Sequence, residues 1–269
     1  VDLFRRAGRG LELTEAGRRI LHYAEEIFTL GDELLDVVRD QSLNINLPFR
    51  VGIADSVAKS VVQRVVAPAL QLAEAVRLIC REGRLTLLLA ELAVHHLDLV
   101  IADRPMPANL NVRGYSHLLG ESDLMVLGAP ALAERLGGES PFPALLDGAP
   151  FLLPGEDVAI RARLEQWFEA EALHPRIVGE FDDSALLTAF GQAGAGLFVA
   201  PSAIAADVCA QYGVEPLGRI AALREQLYAI TTERRLTHPA IVAIRDAARD
   251  EVFGAGAASR RAVPRRRKR

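Results

Sequence analysis

Phe49–Ala102 reads FRVGIADSVAKSVVQRVVAPALQLAEAVRLICREGRLTLLLAELAVHHLDLVIA, and three short apolar runs within it decide the fold. The runs are Phe49–Ala54 (FRVGIA), Val76–Arg81 (VRLICR) and Leu97–Ala102 (LDLVIA). Each has the length and β-branched content of a strand. Between them, Ser56–Leu72 reads as a helix that Pro68 bends or ends, and Thr86–His96 as a second helix. Strand–helix–strand–helix–strand order gives a parallel sheet with right-handed crossovers. The strands are apolar throughout, as strands covered by helices on both faces are.

Towards the C-terminus the alternation repeats from about Glu121. Leu124–Leu127, Phe151–Leu153, Ile177–Phe181 and Leu197–Ala200 read as strands. Ala129–Leu136, Ile160–Ala172, Ser184–Ala193 and a segment from Ser202 read as helices. Val214–Leu217 closes this unit, Gln226–Thr231 (QLYAIT) returns as a separate strand, and Pro239–Val252 is a final amphipathic helix. Two α/β units in tandem imply two lobes joined by crossing strands. Open α/β sheets bind ligands at the carboxyl ends of their strands, so facing lobes make a cleft.

Towards the N-terminus a different pattern holds. Leu11–Gly17 (LELTEAG) reads as a strand end leading into a helix capped by Thr14. The helix runs over 15–41. Ile20, Ala24, Ile27, Leu34 and Val38 follow steps of four and three, a heptad seam, and Leu21, Phe28 and Leu35 widen it. With no neighbouring helix in the sequence, a second copy of the chain is the expected partner, making a homodimer or tetramer; packing onto the chain's own body is the alternative. Asn44–Pro48 reads as a hinge.

Composition excludes several classes. No apolar run reaches the roughly 18–20 residues of a membrane span, and the opening VDLFRRAGRG has no apolar stretch behind its basic residues, so no leader and no membrane partner are expected. Two cysteines far apart, Cys80 and Cys209, supply neither a disulfide framework nor a zinc ribbon, which favours the cytoplasm. The net charge of −4 hides a tail, 259–269, with seven positive charges and no negative one, leaving near −11 on the rest. The tail reads as a solvated, disordered extension. No nucleophile elbow, phosphate loop or dinucleotide fingerprint is present, and the adjacent His95 and His96 lack helical zinc spacing, so no enzyme and no cofactor are expected.

Several stretches resemble one family. LFRRAGRGLELTEAG followed by a long helix resembles the end of the winged helix-turn-helix and the dimerising linker of LysR-type transcriptional regulators. FRVGIADS, EGRLTLLLAELAVHHLDLVIADRP and GEFDDSALLTAFGQAGAGLFVAPSAI resemble their effector domain. The match looks most like the NhaR-like branch, which activates sodium/proton antiporter genes. The resemblance implies an α/β, two-lobed, periplasmic-binding-protein-like effector domain preceded by a linker helix and a remnant of the winged helix-turn-helix. It places the wing at 1–18, the linker and hinge at 19–48, and the effector domain at 49–253. Lobe I then covers 49–120 and 222–253, lobe II covers 121–221, and the tail covers 254–269. The recognition helix of a complete regulator is not in this sequence, so the resemblance implies a front-shortened chain that reads bases only in its full-length form. Arg5, Arg6 and Arg9 of the wing remain as DNA-backbone contacts. A two-lobed solute-binding protein is the alternative to the regulator, and a small-molecule enzyme on the same scaffold a more remote one.

The family's effector pocket maps onto strand ends. Asp55 and Ser56 follow the first strand and open a helix, where free N–H groups favour a small anion and Ser56 doubles as the N-cap. Arg84 follows the second strand, and Asp103 and Arg104 the third. Asp182, Asp183 and Ser184 occupy a strand-to-helix turn of the other lobe, where Asp183 or Ser184 also suits capping. With Glu156 and Asp157, these acids make an oxygen-rich ring that suits a hard cation; the resemblance implies Na+ near Asp55, Asp103 and Asp183. An organic anion held by Ser56 and Arg84 is the competing effector.

Overall fold

The computed structural model describes residues 1–254 except 8–9, 22, 25–26, 29–30, 32–46, 73–75, 109, 111–112 and 138–139. It divides into two units, 1–46 and 47–269. In the first, β1 (Phe4–Ala7) pairs antiparallel with β2 (Gly10–Leu13). The Thr14 hydroxyl oxygen accepts from Gly17 N at 2.9 Å, which caps the helix that follows. Residues 15–21, 23–24, 27–28 and 31 are helical. Ile20, Leu21, Ile27 and Phe28 of the seam are exposed on the single chain; Leu34, Leu35 and Val38 lie outside the described residues, as do Arg9 and the basic tail.

In the second unit, β3 (Leu47–Ala54) pairs in parallel with β4 (Val76–Gly83) on one side and β5 (Leu99–Ala102) on the other. Helices α1 (Lys59–Val66) and α2 (Leu85–Ala93) make the crossovers. Pro68 lies at the opening of a 3-10 turn, Ala67–Gln71, that ends α1. Gly52 permits the close approach to β3 of α2 and of the turn before β5: a Cβ there would lie 2.6 Å from Leu97 Cδ1 and 3.2 Å from Leu88 Cδ2. The helix expected from Ser56 begins three residues later. Its N-cap is Ala58, with no side-chain bond. Ser56 lies in a turn before it, in which Val57 N donates to Ala54 O at 2.9 Å and Ser56 N to Asp55 Oδ1 at 3.1 Å. Ser56 is therefore not the cap, and no helix opens at Asp55 and Ser56 to receive an anion.

The chain continues through β6 (Tyr115–Gly128), α3 (Pro130–Gly137), β7 (Pro150–Pro154), α4 (Arg161–Ala170), β8 (Arg176–Phe181), α5 (Ser184–Gln192), β9 (Phe198–Pro201), α6 (Ala205–Tyr212), β10 (Glu215–Thr231) and α7 (Pro239–Ala247). Six strands form one sheet in the order β4-β3-β5-β10-β6-β9. A parallel pair, β7 and β8, meets the residue before β9 through a bridge between Phe151 and Leu197. The segments Val214–Leu217 and Gln226–Thr231, expected as separate strands, fall, apart from Val214, within the single strand β10. It pairs antiparallel with β6 from Glu215 opposite Gly128 to Thr231 opposite Tyr115. The register breaks between Ile220 and Arg224, and that bulge scrambles the alternation by which a continuous strand is read.

Two apolar cores result. One gathers Phe49, Val51, Leu89, Leu99, Ile101 and Ile230; the other gathers Leu124, Phe151, Leu164, Trp167 and Leu197. The first also takes in Phe198, Ile204 and Val208, so apolar packing runs from the first lobe into α6 of the second.

Candidate functional site

The carboxyl ends of β3, β4 and β5 face the loops that follow β7 and β8 across a cavity of about 190 Å³. Five of the eight residues expected at a binding site line it: Asp55, Ser56, Arg84, Arg104 and Asp182. Asp157, which follows β7, and Thr86, at the start of α2, complete its polar wall. An adjoining cavity of about 70 Å³ lies between the lobes, lined by Lys59, Ser184, Ile204, Tyr212 and Glu225 among others.

The remaining expected residues have other partners. Asp103 is buried. Its Oδ2 accepts from Ala159 N at 2.8 Å and its Oδ1 lies 3.3 Å from Arg104 Nε, so it ties the end of β5 to the second lobe. Asp183 caps α5, its Oδ1 accepting from Leu186 N at 2.7 Å. The Ser184 hydroxyl donates to Val57 O at 3.2 Å, across the lobes. Lys59 Nζ lies 2.8 Å from Glu82 Oε1 and 3.4 Å from Asp183 Oδ2, ion pairs that are not aligned as hydrogen bonds. Arg64 of α1 pairs with Asp207 of α6 at 3.0 Å. Asp55, Asp103 and Asp183 thus do not converge, and among the described residues no three His, Cys, Asp or Glu are placed to hold a metal ion. Glu156 faces an adjoining open bowl, which it lines with Asp157, Glu180 and Asp182. On the hairpin, Arg5 pairs with Glu12 at 3.0 Å and Arg6 is exposed.

Two carboxyls are pushed upward. Burial pushes Asp55 above the usual carboxylate range; the Ser56 N–H and Lys59 oppose this, and the Asp182 carboxylate of the other lobe adds to it. Glu225, at the crossing of β10 and β6, is pushed by burial up to about 7, with Asp103 adding repulsion. Sequence reasoning missed Thr86 and Glu225. Thr86 was within reach of the strand-end rule, being two residues past Arg84. Glu225 carried no such signal, because the bulge in β10 places it.

A family model for the LysR substrate-binding domain matches residues 46–252. The chain belongs to the LysR family. It is 37% identical over 239 residues to the transcriptional activator protein NhaR of Escherichia coli (strain K12), covering 89% of this chain and 77% of that protein. The fold is similar to that of CbnR, a LysR family transcriptional regulator, at 18% identity and a TM-score of 0.58, covering 93% of this chain and 85% of that one. It is also similar to a Corynebacterium glutamicum OxyR C206 mutant at 17% identity and a TM-score of 0.62, covering 97% and 81%. The two-lobed body is therefore the effector-sensing domain of a LysR-type transcriptional regulator, with the periplasmic-binding-protein-like architecture of the family. Among the described residues, no helix is long and apolar enough to cross a membrane.

Proposed function

We propose that the cavity between the lobes is the effector site of a cytoplasmic, non-enzymatic transcriptional activator, and that Asp55, Ser56, Arg84, Arg104 and Asp182 contact the effector. One observation carries this reading: charged side chains from three strand ends of one lobe and two loops of the other line a single cavity. In this reading Asp103, Asp183 and Ser184 set the position of the lobes rather than touch the ligand. Lobe I covers 49–120 with 222–253, and lobe II covers 121–221. The helix over 15–41 pairs two chains, since its seam residues Ile27 and Phe28 are 69% and 72% exposed on one. The likeness to NhaR supports an activator. Sodium/proton antiporter genes are its proposed targets, and DNA its partner in the full-length regulator, with Arg5, Arg6 and Arg9 on the phosphate backbone.

Ser56→Trp tests the site by filling the cavity. In the full-length regulator at a promoter it occupies in cells, the variant is expected to abolish the ligand-dependent change in transcription. Its melting temperature should stay within a few degrees of the parent's. An undiminished response in a folded variant overturns the assignment.

A further inference from the structure

The cavity wall holds opposite charges that form no ion pairs with each other. Among the described residues, Arg84 forms no ion pair, and neither do Asp55, Asp157 and Asp182. The neighbouring cations are engaged: Arg104 with Asp103, and Lys59 with Glu82 and Asp183. Asp55 and Asp182, one from each lobe, repel each other across the opening. The Asp182 side chain folds over Gly155, where any Cβ would collide with its Oδ1.

We propose that the effector is a small amphoteric molecule, with its anionic group on the Arg84 guanidinium and its cationic group between Asp55 and Asp182. This rests on the cavity being the effector site and names the ligand class. A ligand bearing only an anion satisfies Arg84 but brings negative charge beside three carboxylates. One bearing only a cation relieves the carboxylates and leaves Arg84 without a partner. Desolvating either set unpaired opposes binding, so each single-charge ligand forfeits part of the available energy. An amphoteric ligand satisfies both sets, and its cationic end also removes the repulsion between the lobes, which favours the closed arrangement over an open one. Size agrees: a cavity of about 190 Å³ has room for about six waters at 30 Å³ each, the scale of an amino acid.

The test is calorimetric titration and thermal denaturation of the full chain with matched sets. One set is 4-aminobutyrate, butyrate and butylammonium. The others are the common amino acids, each with its decarboxylated amine and its deaminated acid, with NaCl against KCl at equal ionic strength as the inorganic arm. At least one amphoteric member is expected to bind and raise the melting temperature, with both single-charge analogues at least tenfold weaker. Arg84→Ala should weaken that member tenfold or more while leaving the weak binding of its amine analogue unchanged. Asp182→Asn should do the converse with the acid analogue. Gly155→Ala, which displaces Asp182 without removing it, should reproduce the Asp182→Asn pattern. An acid, an amine or Na+ binding as tightly as every amphoteric member overturns the proposal, and so does the absence of binding by any member at millimolar concentration. If Ser56→Trp still blocks the transcriptional response in that event, the site stands and only the ligand class falls.

Discussion

Glu225 lies opposite Ser122 where β10 crosses between the lobes, and its proton is a stability switch. Its folded pKa of about 7 stands against an ordinary 4.5. Between those values the folded state holds a proton that the unfolded chain has released, so stability falls as pH rises from about 4.5 to about 7. The full shift corresponds to roughly 3 kcal/mol. Glu225→Gln is expected to flatten the dependence of melting temperature on pH across that window and to raise the melting temperature at pH 8 by several degrees. Asp103→Asn should move the inflection to lower pH, because the Asp103 charge is part of what holds the proton on Glu225. It should also destabilise by about 1–2 kcal/mol through the weakened bond from Ala159 N. Neither residue announced this role in the sequence. Asp103 read as a ligand contact because it follows a strand, yet the turn after β5 aims it at backbone of the other lobe.

At the scale of elements, the helices of the second lobe are fixed at their ends by identifiable chemistry. Asp183 satisfies an orphan N–H of α5, and Gly213 ends α6 in the left-handed region at φ 63°. Asp183→Ala is expected to lower stability by about 1 kcal/mol through the cap. Gly213→Ala should have a similar effect from backbone strain alone, since a Cβ there meets nothing within 4 Å. Urea denaturation checks both. The two should differ in one respect: only Asp183→Ala also releases Lys59 from its cross-lobe contact, so only it should alter how α1 sits against α5. Capping at Asp183 was legible, because Asp before a helical apolar pattern is a local signal. The cap of α1 was misread for the same reason: Ser56 carries that signal, but it lies in a turn closed by Val57 N donating to Ala54 O, and the helix starts only at Lys59.

At the scale of the molecule, residues 1–46 and 47–269 are separate compact units. Removing residues 1–46 is therefore expected to leave a body that unfolds cooperatively, with a melting temperature within a few degrees of the parent's. Its mass in solution should fall to that of a monomer, as light scattering would record, because the exposed seam of the first helix leaves with the segment. An unchanged oligomeric mass places the main dimer contact on the two-lobed body instead. Within that body the lobes are not independent. The first core extends to Phe198, Ile204 and Val208, and Arg64–Asp207, Ser184–Val57 and Asp103–Ala159 cross between lobes. A ligand that shifts their relative position works against these contacts, so its leverage is bounded by how differently it binds the two arrangements.

The sequence by itself determined the alternation of strands and helices, the parallel core of the first lobe and the strand ends that supply Asp55, Arg84 and Asp182, because periodicity and loop position are local properties of a chain. The stretches that resemble LysR-type regulators were equally local. Only the tertiary structure decided that β10 is one strand, that Asp103 and Ser184 bond across the lobes, and that Glu225 faces Asp103. Those outcomes depend on register, on a bulge and on which buried polar groups find partners. All three are settled between segments far apart in sequence, when the two lobes pack.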